Sequence, residues 1–137
     1  MNNKRKTVLI IDDEEQFRGF LQDVLKERGY RVLAAAGVEQ GIKAMAETVV
    51  DLVITDMMMP DIRGSELVAH LRNNGSKVKI LAMTGHPAGD AALAAAEAFS
   101  VDGVLFKPFS AKDIVAMVHG LLMHRKNETV PAEHTVA

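Results

Sequence analysis

Apolar and polar positions along the chain fall into a repeating pattern of short continuous apolar runs separated by segments with helical spacing. Thr7-Val-Leu-Ile-Ile11 is apolar until it meets Asp12-Asp13-Glu14-Glu15, which predicts a buried strand ending in an acidic turn. Phe17, Phe20, Leu21, Val24 and Leu25 then recur on one helical face, and Gly29 marks the stop. Arg31–Ala35 reads as a second strand, and Ile42, Ala44, Met45 and Ala46, entered through Gly37-Val38-Glu39 and interrupted by Gly41, as a second helix. The stretch from Val49 to Pro60 contains the β-branched run Leu52-Val-Ile-Thr55, a third strand with Asp56 at its carboxyl end. Pro60–Gly64 is a loop, and Leu67, Val68 and Leu71 mark a helix ending near Asn73-Asn74-Gly75. Val78–Met83 is a fourth strand closed by Thr84-Gly85-His86-Pro87. Ala88–Phe99 is an alanine-rich helix with few large anchors, expected to be the least firmly packed. A fifth strand, Gly103–Phe106, runs into Lys107-Pro108-Phe109. Ser110 caps a last helix, with Asp113 in the capping-box position and Ile114, Val115, Val118, Leu121 and Leu122 inward.

Five strands alternating with five helices predict a parallel sheet covered on both faces. The 137 residues suit one domain, expected over 1–124 with a polar tail at 125–137. A net charge of -2 gives no basic field for nucleic acid, and the absence of cysteine excludes a disulfide scaffold, a thiol nucleophile and cysteine-bound zinc. With no membrane-length apolar stretch and no signal-peptide core at Met1-Asn-Asn-Lys-Arg5, the expected location is the cytoplasm, with no membrane contact.

If the first strand is central, the carboxyl ends of strands one, three, four and five bring together Asp12/Asp13, Asp56, Thr84 and Lys107. Ligands bind at that edge of open α/β sheets. Three carboxylates disfavour one another's charged forms unless a cation joins them. All-oxygen donors favour Mg²⁺ or Mn²⁺ over zinc, and Mg²⁺ keeps room for phosphate. A carboxylate can attack phosphorus to give an aspartyl-phosphate. Asp56, ending the central buried strand, is the best-placed nucleophile, with Lys107 and the metal neutralising charge and Thr84 donating to the added oxygens.

In this order Asp12-Asp13, Asp56-Met-Met-Met-Pro-Asp-Ile-Arg-Gly64, Thr84-Gly85 and Lys107-Pro108 resemble the receiver domain of two-component response regulators, of the small chemotaxis-regulator kind. The resemblance covers roughly Lys6 to His124. It implies a flavodoxin-like, doubly wound (βα)5 fold with strand order 2-1-3-4-5. It also implies that Asp56 accepts phosphate from a phosphohistidine on a sensor histidine kinase or histidine phosphotransfer protein. Asp13 and Asp56 would bind Mg²⁺ with the backbone carbonyl of Met58, Asp12 acting chiefly through a metal-bound water. Thr84 would move toward the phosphoryl group, and the face of the fourth helix, fifth strand and fifth helix would rearrange, offering a surface to a downstream protein or to a second copy in a homodimer. A cis Lys107–Pro108 bond is implied too. The family's aromatic three residues before the lysine is replaced by Val104, and its frequent alanine after the threonine by Gly85. Met58 and His86 hold the positions that tend to modulate phosphoryl lifetime.

Taken singly these residues have plainer readings. Asp12-Asp13 alone is more often a helix-capping turn, Lys107 alone a surface lysine, and Met57-Met58-Met59 apolar filler. His70, His86, His119, His124 and His134 lack metal-site spacing. The leading expectation is a stand-alone regulator, not an enzyme in the ordinary sense, whose output is protein binding. The alternatives are the receiver part of a larger regulator or hybrid kinase, an aspartyl-phosphate-forming phosphatase, and a receiver-like module that is never phosphorylated. The phosphatase is disfavoured because Met58 stands where a second acid is usual.

Overall fold

A computed structural model of the chain describes residues 5–57, 64–85 and 101–123. The predicted 88–99 helix, Met58, His86, His124 and the 125–137 tail lie outside the described residues. Within them the elements run β1 (Thr7–Ile11), α1 (Glu15–Glu27), β2 (Arg31–Ala35), α2 (Val38–Glu47), β3 (Leu52–Asp56), α3 (Gly64–Asn73), β4 (Lys79–Gly85), β5 (Gly103–Lys107) and α4 (Ala111–Met123). The five strands form one parallel sheet in the order β2-β1-β3-β4-β5. This is the doubly wound α/β architecture that the sequence predicts, and the order reverses between β1 and β3.

Why the strands read as unbroken apolar runs is clear from their surroundings. β1 and β3 are buried at every position because helices cover both faces of the sheet. Val8, Ile10, Leu52, Ile54, Leu81, Met83 and Leu105 pack against Leu21 and Leu25 of α1 and Ile114, Met117, Val118 and Leu121 of α4. Leu9, Ile11, Val53 and Ile80 face the other way, toward Val38 of α2 and Leu67, Val68 and Leu71 of α3. Alternate residues of one strand thus serve two separate cores, each buried side chain contributing about 1.5–3 kcal/mol. The edge strand β2 is partly exposed.

Two helices end in the same way. Tyr30 N–H donates to Leu25 O and Gly29 N–H to Lys26 O, while Ser76 N–H donates to Leu71 O and Gly75 N–H to Arg72 O. Both glycines have positive φ, 93° at Gly29 and 75° at Gly75, as this hydrogen-bonded stop requires. α4 begins with a reciprocal capping box: Asp113 N–H donates to Ser110 Oγ (3.1 Å) and Ser110 N–H to Asp113 Oδ2 (2.9 Å). Aspartate therefore fills the place usually given to Glu or Gln.

At the amino edge of the sheet, acids standing just before β3 and β5 clamp the neighbouring strands. Asp51 Oδ2 accepts the Thr7 N–H at 2.8 Å, and Asp102 Oδ2 accepts the Ile80 N–H at 2.8 Å and Arg72 Nη2 at 3.1 Å. Arg72 Nη1 also donates to the carbonyls of Ser76 and Val78, tying α3 to the start of β4.

Some expectations change. Phe20 is 38% exposed and not part of the inner stripe, because Leu21 and Leu25 occupy the centre of the α1 contact and Phe20 falls at its margin. Val49 is 84% exposed, and β3 begins at Leu52 as expected. β4 extends through Thr84 and Gly85 because β5 supplies ladder partners, Phe106 and Lys107, for both. Met117, absent from the predicted inner face of the last helix, is buried there.

Gly41 marks the tightest approach of a helix to the sheet. It is buried in α2, and a Cβ there would collide with Ile11 Cδ1 and lie 3.1 Å from Ile11 Cγ1. Alanine would gain up to about 1 kcal/mol of helix propensity, against about 1–3 kcal/mol for overpacking. Gly41→Ala is therefore expected to lower the denaturant midpoint. Adding Ile11→Val, which removes the Cδ1 methyl, should recover part of the loss, although Ile→Val alone costs about 0.5–1.5 kcal/mol. Strict additivity of the two changes in urea unfolding would contradict the close contact.

Candidate functional site

Beyond β1, Asp12 prolongs the sheet by one residue, its N–H donating to Ala35 O at 3.1 Å. Its side chain then turns back on the chain: Oδ1 accepts the Glu14 N–H at 2.8 Å, a local turn that starts α1 where Glu14 itself gives no side-chain cap. Arg18, one turn into the helix, donates from Nη1 to the Asp12 carbonyl at 2.7 Å and braces the same turn. Because Ile11 is aligned with Thr55 in the β1–β3 ladder, Asp12 comes beside Asp56 at the end of β3.

A carboxylate oxygen from each of Asp12, Asp13 and Asp56 can be chosen so that the three lie within 4.8 Å of one another. Asp12 and Asp56 are buried, 0% and 6% exposed, whereas Asp13 faces solvent. Lys107, at the end of β5, reaches back to this cluster. Its Nζ is 3.1 Å from Asp56 Oδ2 and 3.6 Å from Asp12 Oδ2. Among the described residues, three carboxylates set against this one ammonium leave two formal negative charges in excess, and like charges at this spacing repel strongly away from bulk water.

Asp12 carries the strain of that arrangement. Burial is the main cause that raises its pKa above the ordinary carboxylate range, and the neighbouring Asp56 and Asp13 carboxylates push the same way. The Glu14 N–H and Lys107 act in the opposite direction. Asp12 Oδ2 is buried with no hydrogen-bond partner. A buried, unsatisfied carboxylate oxygen beside two other carboxylates is what a divalent cation would complete, and the oxygen-only donor set suits a hard ion.

The structure thus brings together four of the residues expected at the site: Asp12, Asp13, Asp56 and Lys107. Thr84 is at the same edge, 2% exposed, and among the described residues its hydroxyl makes a long 3.5 Å contact to the Gly85 carbonyl. Asp56 is aligned with Met83, and Thr84 with Phe106, so Thr84 is one residue out of step with the acid. Val104 is buried against Ala82, with Met57 and Phe106 packed beside them. Phe106, rather than Val104, is therefore the aromatic opposite Thr84. The Lys107–Pro108 bond is cis.

Two neighbours were not expected at the site from sequence. Phe17 is read there only as part of the apolar helical face, and Arg18 carries no sequence signal; at four and five residues after Asp13 they fall in the first turns of the helix that the acids begin. A depression of about 320 Å³ lined by Arg28, Tyr30, Val115, Ala116 and His119 includes none of the cluster acids.

Residues 8–119 match the family model described as the response regulator receiver domain. The chain belongs to that family. Among relatives of this receiver, the response regulator MprA of Mycobacterium ulcerans is 33% identical over 131 residues, covering 95% of this chain and 56% of that protein. The alkaline phosphatase synthesis transcriptional regulatory protein PhoP of Bacillus subtilis is 31% identical over 117 residues, covering 85% of this chain and 48% of its own length. The receiver spans about half the length of these curated relatives. Among solved structures, a two-component response regulator from Clostridium difficile superposes with a TM-score of 0.80 at 25% identity, covering 90% of this chain and all (100%) of that one. A response regulator receiver domain protein from Clostridium thermocellum superposes with a TM-score of 0.77 at 27% identity, covering 85% and 94%. Receiver domains are signalling modules of two-component systems, which work with histidine kinases and phosphotransfer proteins.

Cation binding at the acids is open to direct measurement. Calorimetric titration of the receiver with Mg²⁺ or Mn²⁺ is expected to give one site. Asp13→Asn, which removes an exposed acid without opening the core, should weaken it by about 10-fold or more, since even outer-shell partners are worth that much. An unchanged affinity in that variant would place the ion elsewhere.

Proposed function

We propose that this receiver takes a phosphoryl group onto Asp56 from a phosphohistidine of a sensor kinase or histidine phosphotransfer protein, and signals through altered protein binding. The observation that carries this reading is the 3.1 Å pairing of Lys107 Nζ with Asp56 Oδ2 inside an acid cluster that has excess negative charge. An Asp56 carboxylate oxygen attacks phosphorus as the bond from phosphorus to the imidazole nitrogen breaks. The imidazole departs with the electron pair, and an acyl phosphate remains. Lys107, already at the acceptor, is placed to pair with the negative oxygens of the transferred group. Asp12, Asp13 and Asp56 would hold Mg²⁺, with Met58 contributing its backbone carbonyl; when bound, the ion supplies charge neutralisation to the phosphoryl oxygens.

Thr84 has the hydroxyl that would report the event, donating to a phosphoryl oxygen. Its 3.5 Å contact with the Gly85 carbonyl is a weak one for the hydroxyl to exchange. Gly85, Pro108 and the positions of Met58 and His86 would tune the lifetime of the acyl phosphate. With Val104 small, coupling from Thr84 to β5 would pass through the adjacent Phe106.

A second reading has a specific observation behind it. The relatives include proteins named as transcriptional or DNA-binding regulators, such as MtrA of Mycolicibacterium smegmatis, of which the chain covers 57%. On that reading the same receiver controls an attached output domain, and the chemistry at Asp56 is unchanged.

Incubation with acetyl phosphate and Mg²⁺ is expected to add one phosphoryl group, seen by intact-protein mass spectrometry and lost in acid or hydroxylamine treatment. Asp56→Asn should abolish the addition. Full labelling of that variant would refute the acceptor assignment.

A further inference from the structure

Lys107 has a partner besides the carboxylates. Its Nζ is 4.4 Å from the centroid of the Phe17 ring, within the range of cation–π attraction. Phe17 is itself held from two sides. Phe109, two residues after Lys107, meets it edge-on, with centroids 5.5 Å apart and planes at 70°. Phe20, one turn further along α1, lies 5.9 Å away at 34°. The segment from Lys107 to Phe109 thus holds one ring with the ammonium and with an edge-to-face aromatic contact.

From this geometry we infer that Phe17 is a positioning residue for Lys107, acting on phosphoryl transfer through the lysine and touching no reacting atom. A lysine ammonium is a point charge on a flexible four-carbon stem. Attraction to Asp12 and Asp56 places it while those acids carry charge, but a cation at the acids offsets that charge, and phosphorylation moves it from the Asp56 carboxylate to the phosphoryl oxygens. The quadrupole of the Phe17 ring is not neutralised by either. It is an attraction that persists throughout the reaction, and Phe109 keeps the ring in register with the loop that bears the lysine. The aromatic set also joins the acid cluster to the exposed flank of α1, where Phe20 is 38% exposed.

This inference rests on Asp56 being the acceptor, and its test separates the two. Rates of labelling by acetyl phosphate with saturating Mg²⁺ would be compared for wild type, Phe17→Leu and Phe17→Tyr, each with and without Lys107→Met, alongside thermal midpoints. Phe17→Leu keeps an apolar side chain but no ring, and is expected to slow labelling about 3- to 10-fold, with Phe17→Tyr restoring the rate. In the Lys107→Met background, Phe17→Leu should have no further effect; equal slowing in both backgrounds would make Phe17 merely structural and overturn the inference. NMR supplies a readout that needs no phosphorylation. The Lys107 ε-methylene protons should be shifted upfield by the ring, and the shift should vanish in Phe17→Leu and persist in Phe17→Tyr. Absence of that shift in the wild type also overturns the inference. Failure of the wild type to label at Asp56 would instead sink the acceptor reading, with the NMR shift still deciding whether Phe17 holds the lysine.

Discussion

Crowding of like charge at the end of the two central strands is the constraint on which the site depends. The β1–β3 ladder fixes Asp12 beside Asp56, and nothing in a parallel sheet allows the two to move apart without breaking its hydrogen bonds. Asp13 adds a third acid from the turn. A fold tolerates such an arrangement only where a cation relieves it, and Lys107 does so in part from β5. The excess that Lys107 leaves is what would make the cluster receptive to the proposed metal ion and to the phosphoryl transfer it would assist. Stability and reactivity are here opposite sides of one electrostatic arrangement.

The two edges of the sheet use the same residue type in different ways. At the amino edge, Asp51 and Asp102 are satisfied by backbone N–H groups, and Asp102 also by Arg72, so they act as clamps. At the carboxyl edge Asp12 has one oxygen satisfied by Glu14 and the other left without a hydrogen bond. A half-buried carboxylate bonded to the backbone rigidifies the chain, whereas a buried one with an orphan oxygen has capacity for a ligand. The same contrast explains why aspartates near strand ends cannot be assigned by type alone.

Much of the fold was legible because β1 and β3 are covered on both faces, so that Thr7–Ile11 and Leu52–Thr55 are buried throughout and apolar but for one threonine each. Gly29 and Gly75 were legible stops because a helix ending in this motif needs a residue at positive φ. The acids and Lys107 could be placed at one edge from strand ends and topology. Register could not be read, and with it went the phase of Thr84 relative to Asp56 and the pairing of Thr84 with Phe106. Phe20 and Phe17 were alike by periodicity; only packing distinguishes the ring over Lys107 from the one at the helix margin. Gly41 looked like a flaw in a helix because the Ile11 side chain beneath it is thirty residues away in sequence and invisible to local pattern.

In the proposed reaction the excess charge at Asp12, Asp13 and Asp56 is met by a cation at the three acids, and Lys107 pairs with the phosphoryl group on Asp56. The decisive measurement is a crystal structure of the protein with Mg²⁺ and beryllofluoride. Expected there are a metal ion bound by the three-acid cluster, with Asp12 Oδ2 no longer orphaned, and a tetrahedral group on an Asp56 oxygen within hydrogen-bond reach of Lys107 Nζ. Density for the group on another side chain, or an ion bound away from these acids, would contradict it.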